Sequence, residues 1–529
     1  MEKRSQDPKI NTAEKELLRH SEIRNGVFIR YYGKESEITI PDYVTVIDED
    51  AFRNNRYLTR VTLGKHVSLI REDAFRNCSR LRSVVFPSGL SHIRSGAFCD
   101  CVSLTDVILP ATVVFLGDAC FRNCASLRQA VLPAGVTRIG AYAFADCVSL
   151  EEITLPPQLE TVRHGIFFNC RSLRRVTMPQ NAKTVGRFAF GGCEVLESLD
   201  FPDTVNYIGS GAFYGCAALT SFHLPHAVGF VADYTFANCK NLESVESDAE
   251  LTHIGVEAFS SCIRLKEFKL PETMQIIGLS AFAGCSALTA ISIPQSVIEI
   301  SRRAFAYCSS LASVEIKARL QVLDEEVFYG CFALRALALP DTIEKIGDRA
   351  LYRCVSLTSV HIPNILRVLG DYAFADCRRL HSVSLPTTLK RIGNHAFDGC
   401  VDLHTVLLPD CYTSVGEAVF ANCTSLRALV VADAHPLFRH RKERWAISKE
   451  TQIILHSELT LALMFAELAA KDTPAERKQA LRAVIRKRIA RMKRRNHLHS
   501  AEPIRQNIFH AMDAIGEQIS LDSEDLLEP

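Results

Sequence analysis

Residues 132–156 read Leu132-Pro133-Ala134-Gly135-Val136-Thr137-Arg138-Ile139-Gly140-Ala141-Tyr142-Ala143-Phe144-Ala145-Asp146-Cys147-Val148-Ser149-Leu150-Glu151-Glu152-Ile153-Thr154-Leu155-Pro156. The stretch holds one full unit of a pattern that recurs every 23 residues. Its marker is Phe144. The same position is filled by Phe52, Phe75, Phe98 and Phe121 before it, and by Phe167, Phe190, Phe213, Phe236, Phe259, Phe282, Phe305, Phe328, Leu351, Phe374, Phe397 and Phe420 after it. No insertion or deletion interrupts the series. A fixed period of this length predicts a solenoid, in which each unit contacts its neighbours.

Alignment on the aromatic shows what fills the unit. A Leu follows six residues later in every copy, from Leu58 to Leu426. Apolar residues follow at nine (Val61, Ile153, Phe222) and at eleven (Leu63, Phe86, Leu408), with Ser247 the polar exception at eleven. Pro often stands at twelve, as Pro87 and Pro110 do. Five before the aromatic lies an aliphatic residue, Ile47 through Val415, often followed by Gly, as at Gly117, Gly140 and Gly393. The L-x-x-V-x-L segment alternates with period 2 and predicts a short half-buried strand. Pro ends it, having no ladder N–H. Gly serves a turn. A-F-x-x-C fits a single helical turn. The expected coil is strand, turn, aliphatic bracket and helical turn, with the Phe residues stacked as an internal spine.

The chain has 19 Cys. Sixteen sit three residues after the aromatic, from Cys78 to Cys423; the first copy has Asn55 there. Cys99, Cys120 and Cys411 fall outside the series. A Cys at one fixed interior position behaves as a small hydrophobe with a weak donor. Neither a disulfide framework nor a zinc site is expected from this spacing. So many thiols suggest a reducing compartment.

The unit resembles the BspA-like class of leucine-rich repeats, whose coils read L-P-x-x-V-x-x-I-G-x-x-A-F-x-x-C-x-x-L-x-x-V-x-L. The resemblance covers residues 27–432. It implies an α/β solenoid: a right-handed leucine-rich repeat array of about 17 coils with one long parallel sheet, joined here to a C-terminal helical segment. It also implies binding rather than catalysis. Known members include surface adhesins of oral and gut bacteria and of a protozoan parasite. Asn25-Gly26-Val27-Phe28 to Ile38-Thr39-Ile40-Pro41 looks like the two-strand cap of such arrays. Met1-Glu2-Lys3-Arg4-Ser5-Gln6-Asp7-Pro8 is polar, with no apolar signal core, so a cytoplasmic location is expected in place of the cell surface.

The expected organisation is a polar segment over 1–24, an N-terminal cap over 25–51, the solenoid over 52–432 and a helical cap or tail over 433–529. In the tail a first helix is expected from Ser448 to Ala470. A second opens with the capping box Thr473-Pro474-Ala475-Glu476 and runs over 474–496, with Leu481, Val484, Ile485, Ile489 and Met492 on one face. A third follows Pro503. The net charge of +1 argues against a whole-protein polyanion binder. No apolar stretch is long and uncharged enough to predict a membrane span.

Residues eight and ten after the aromatic are expected to face outward from the sheet. Large aromatics are missing from both series, so a carbohydrate-stacking groove is not indicated. Val85, Ile108 and Val131 form an apolar stripe in three consecutive coils. In the tail helix, Arg477, Lys478, Arg482, Arg486, Lys487, Arg491 and Arg494 belong to a basic run with no acid inside it. These two features are the candidate partner surfaces. Neither a catalytic set nor a phosphate-binding loop stands out, and no cofactor or metal is expected. Three functions follow: a non-enzymatic monomeric scaffold for an unidentified protein partner, an adhesin exported by an unrecognised route, and a nucleic-acid or anionic-surface contact through the basic helix.

Overall fold

The computed structural model describes residues 12–408, 414–431, 445–448, 451–455, 460, 464 and 481–489. The chain forms two compact units, Met1–Leu288 and Thr289–Pro529. Each is built of the same coil.

In both units the alternating segment forms the expected parallel strand. In the first unit Asp106–Ile108, Gln129–Val131, Glu152–Thr154 and Arg175–Thr177 pair in one ladder, with Gln129 opposite Asp106 and Glu152 opposite Arg175. In the second, Ser382–Ser384, Thr405–Leu408 and Ala428–Val431 do the same. The middle residue of each strand points inward, as Val107, Ile153 and Val406 do. Among the described residues this pairing runs as a succession of short parallel sheets.

The aliphatic bracket forms a second parallel ladder. Val46–Ile47, Leu69–Ile70, His92–Ile93, Phe115–Leu116 and Arg138–Ile139 pair in series in the first unit. Lys345–Ile346, Val368–Leu369 and Arg391–Ile392 do so in the second. Two residues are too few to show alternation, so only the buried aliphatic is visible in sequence. The Gly after it serves this close approach rather than a turn. A Cβ on Gly140 would lie 2.3 Å from the backbone N of Asp118 and 2.4 Å from the carbonyl C of Gly117.

The Phe column is the core. From Phe28 to Phe282 in the first unit, neighbouring rings have centroids 4.6–6.0 Å apart and planes within 24°. In the second unit Phe374, Phe397 and Phe420 repeat this at 5.4 and 5.7 Å. The helical turn beside each ring bends sharply. The residue two after the aromatic has φ between 55° and 75° in every coil, as in Asn54, Asn77, Asp100, Asn123 and Gly192. Asn, Asp and Gly tolerate that region best and predominate there.

The ladder cysteines have a bonding role beyond filling space. The thiols donate to the carbonyl of the preceding coil's column residue: Cys78 to Phe52, Cys239 to Phe213 and Cys423 to Phe397, at 3.1, 3.1 and 3.0 Å, and Cys377 to Leu351 at 3.2 Å. Asn55 replaces the thiol in the first coil and donates its side-chain N–H to Gly33 O at 3.2 Å. The eighteen cysteines among the described residues are all buried.

Both ends differ from expectation. Residues 12–24, expected as part of a polar segment, form helix Thr12–Arg19, with Leu17 buried, and strand Ser21–Arg24. That strand pairs antiparallel with Val27–Tyr31 around Asn25-Gly26. Both turn residues have positive φ, 50° and 75°, as a type I′ hairpin requires.

At the other end no helix starts at Ser448. Gln452–Leu455 is a strand, paired parallel with Ala428–Val431. Trp445, Ser448 and Thr451 repeat the spacing of Phe420, Cys423 and Leu426. Trp445 packs on Phe420 with ring centroids 6.2 Å apart. Thr451 is buried and donates to Leu426 O at 2.7 Å. A partial eighteenth coil therefore follows the seventeen, 25 residues after Phe420, beyond the expected solenoid end at 432. Ala428 and Val430 hold outward positions, yet both are buried.

Truncation after Ala432 should accordingly expose the Ala428–Val431 edge and these two side chains. Hydrogen exchange should show lost protection around Phe397 and Phe420. Full protection in the truncated chain would show that the partial coil contributes nothing to the end of the array.

Candidate interaction surfaces

The strand face of the first unit carries the apolar stripe. Val85, Ile108 and Val131 are 50%, 64% and 42% exposed, so all three face solvent as expected. Ile108 and Val131 are direct partners in one ladder. Val85 belongs to a separate ladder, opposite Thr62, and the two ladders are joined by the bond from Thr105 N to Arg82 O at 3.2 Å. Beside Val131 lies a shallow hollow of ≈ 300 Å³, lined by Gln129, Val131, Glu152, Thr154, Arg175 and Thr177.

Charge surrounds this stripe in pairs that bridge successive coils. Glu152 Oε2 lies 3.3 Å from Arg175 Nη1. Both side chains are well exposed, so the pair is worth about 0–1 kcal/mol. Further along the unit Lys266 Nζ lies 2.6 Å from Glu243 Oε2, and that hydrogen bond, then the charge itself, lowers the Glu243 carboxyl from its usual range. In the second unit the Ser292 hydroxyl, donating at 2.7 Å, and then Lys317 lower Glu315 in the same way. The pairing leaves the apolar residues as the unusual feature of the face.

The helical-turn face carries aromatics that the strand positions lack. In the second unit Tyr307, Tyr329, Tyr352, Tyr372 and His395 form a stair with centroid separations of 4.9, 5.1, 6.3 and 4.7 Å. Arg353 lies over the Tyr352 ring and Arg349 over the Tyr372 ring, at 5.5 and 5.3 Å. The ring faces are thus occupied by neighbours, and Tyr352 and Tyr372 line a hollow of ≈ 380 Å³ with Asp376, Arg378, Asp398 and Asn422. Near this stair Glu326 is almost fully buried. Burial alone would raise its carboxyl, but hydrogen bonds from Arg303 and Arg302 outweigh that and hold it low. These residues vary in place within the coil, one or two after the aromatic or two before it. A search for aromatics confined to strand positions passes over them.

Of the basic run, Arg482, Arg486 and Lys487 lie on the helical stretch 481–489 and are exposed. Leu481, Ile485 and Ile489 are buried on its opposite side, whereas Val484, expected on the same face, is 41% exposed. Arg477, Lys478, Arg491, Arg494 and Met492 lie outside the described residues. No helix among the described residues is long and apolar enough to cross a membrane.

Comparison with known proteins agrees with this architecture. The BspA type leucine rich repeat region (6 copies) matches residues 21–147, 115–243, 229–358 and 344–435. None of the curated proteins matches the chain. Among solved structures the chain is similar to a leucine-rich repeat protein from Bacteroides ovatus, at 24% identity and TM-score 0.45, covering 81% of this chain and 94% of that one. It is similar to the T. pallidum leucine rich repeat protein at 33% identity and TM-score 0.32, covering 32% of this chain and 83% of that one. A leucine rich cell surface protein from Faecalibacterium prausnitzii matches at 23% identity and TM-score 0.31, covering 80% and 93%. The matched stretches run through every coil from the hairpin to Val431, and the chain belongs to the BspA type leucine-rich repeat family.

Proposed function

We propose that this chain is a non-catalytic scaffold that binds a protein partner through the strand face of its first unit. Leucine-rich repeat proteins are typically interaction or surface proteins. The observation that carries the reading is the exposed pair Ile108 and Val131, in register and joined by exposed Val85 in the preceding coil, on a face whose other outward residues nearby are charged or polar. Such a pair with a polar rim matches the composition of an interface centre. The proposed setting is the cytoplasm, supported by the many buried cysteines at one register, which fit a reducing compartment.

The test compares the wild-type chain with Ile108→Lys and Val131→Lys in capture from native lysate. Both substitutions sit on solvent-facing strand positions and should leave circular dichroism unchanged. The partner should be lost from each variant. Capture unaffected by these changes, but lost with Arg482→Glu, Arg486→Glu and Lys487→Glu together, would move recognition to the basic helix and favour an anionic partner.

A further inference from the structure

We infer that Glu16, His20 and Glu35 form a binding site for a divalent transition cation at the N-terminal cap. Glu16 and His20 are one helical turn apart, on and just after helix Thr12–Arg19, so both side chains reach the same side. Glu35 comes from the segment after strand Val27–Tyr31. His20 Nδ1 lies 3.3 Å from Glu35 Oε1 and 3.8 Å from Glu16 Oε1. The three ligand atoms all fall within 4.8 Å of one another. A tetrahedral cation bound at about 2.0–2.1 Å places its ligands roughly 3.3 Å apart. Small side-chain adjustments would close the site.

The groups behind the three ligands support this assignment. Each carboxylate has one oxygen already engaged and one turned to His20. The Tyr31 hydroxyl donates to Glu35 Oε2. Arg19 Nη1 donates to Glu16 Oε2 at 3.1 Å. Outer-shell bonds of this kind fix ligand orientation in metal sites. His20 Nδ1 itself is shielded from solvent and faces both carboxylates without a well-aligned hydrogen bond to either. An unsatisfied buried nitrogen facing two carboxylate oxygens is unfavourable. A cation held between the three atoms satisfies all of them together.

The donor set of one imidazole and two carboxylates suits zinc, manganese or ferrous iron rather than thiophilic ions. The three side chains are 44%, 42% and 31% exposed, which leaves room for water to complete the coordination. The ion would tie the helix to the segment that leads into the first coil. Tyr32 N already bonds His20 O at 2.7 Å across the same junction.

The experiment uses the full chain, washed with chelator and titrated with zinc chloride by calorimetry, with X-ray absorption at the zinc edge. One equivalent should bind with a first shell of nitrogen and oxygen only. Hydrogen exchange should gain protection within residues 12–36. Glu16→Gln and Glu35→Gln, near-isosteric changes, should each weaken binding about tenfold or more, and Tyr31→Phe about 10–100-fold. Absence of saturable uptake, a sulfur-containing shell, or affinity unchanged in both Gln variants would overturn the proposal and leave His20 as an ion-pair partner only.

Discussion

Raising the pH should unfold this protein steeply in the alkaline range, and the thiols whose burial raises them should set the slope. Burial pushes the Cys262 and Cys354 thiols up from the usual thiol range to about 12. Cys193, Cys216, Cys239, Cys377 and Cys400 are displaced in the same direction by the same cause. A thiol whose folded pKa lies above its unfolded one favours the folded state while protonated. That contribution is fully present below about pH 9 and is lost as pH rises towards 12. In this window the folded chain holds protons that the unfolded chain has released, so stability falls with pH. Each such thiol costs about 1.4 kcal/mol per pH unit, and many act together. Circular dichroism against pH should show a sharp loss above roughly pH 9. Replacing Cys216, Cys239 and Cys262 together by Ser keeps a donor at each site and removes the titration, so the slope should become shallower. An array that keeps its structure through pH 11, or a slope indifferent to these substitutions, would rule out the buried thiols as the controlling groups.

The second large effect concerns the ring column. Phe213 touches four rings, with centroids 5.6 Å from Phe190, 5.9 Å from Phe201, 4.9 Å from Phe222 and 5.5 Å from Phe236. Phe213→Ala should cost about 3–5 kcal/mol, since neighbouring coils cannot collapse into the gap without leaving register. Phe213→Leu should cost less than about 1.5 kcal/mol, because the column already holds Leu351, which is fully buried. Ser221→Ala, on the exposed strand face of the same coil, should stay within about 0.5 kcal/mol. Denaturant unfolding and local hydrogen exchange measure all three. Equal effects of Ala and Leu at 213 would show that ring stacking, rather than filled volume, sets the stability there.

Much of the coil was visible in the sequence because its determinants are large apolar side chains at constant spacing. Phe144, Leu150 and Ile153 announce their own burial. The hidden parts depend on backbone geometry or on substitutions that break the pattern. Leu69–Ile70 shows one buried residue and cannot display a strand period. Asn54 and Asp100 occupy a position where any short polar or Gly residue serves, so it reads as variable. Trp445, Ser448 and Thr451 continue the coil, but two are polar and the step from Phe420 is 25 residues. In the candidate surface, the exposure of Val85, Ile108 and Val131 followed from alternation alone. The Tyr352 and Tyr372 stair did not, because its members come from different positions of the coil and meet only once the turns are stacked.

The bond from the ladder thiols to the carbonyl of the preceding column residue gives the array a direction and a rule for its evolution. A coil brings one donor for the coil behind it and one acceptor for the coil ahead. Duplicating a whole unit adds both, so the polar groups inside stay matched at any length. Losing part of a unit removes one without the other and strands a buried carbonyl or thiol. Gene copies that differ by multiples of 69 bases are therefore physically equivalent at every internal junction, and selection on coil number can act through reach and surface alone. The two termini are the places where that equivalence fails, and they are where Asn55 and Trp445 depart from the repeat.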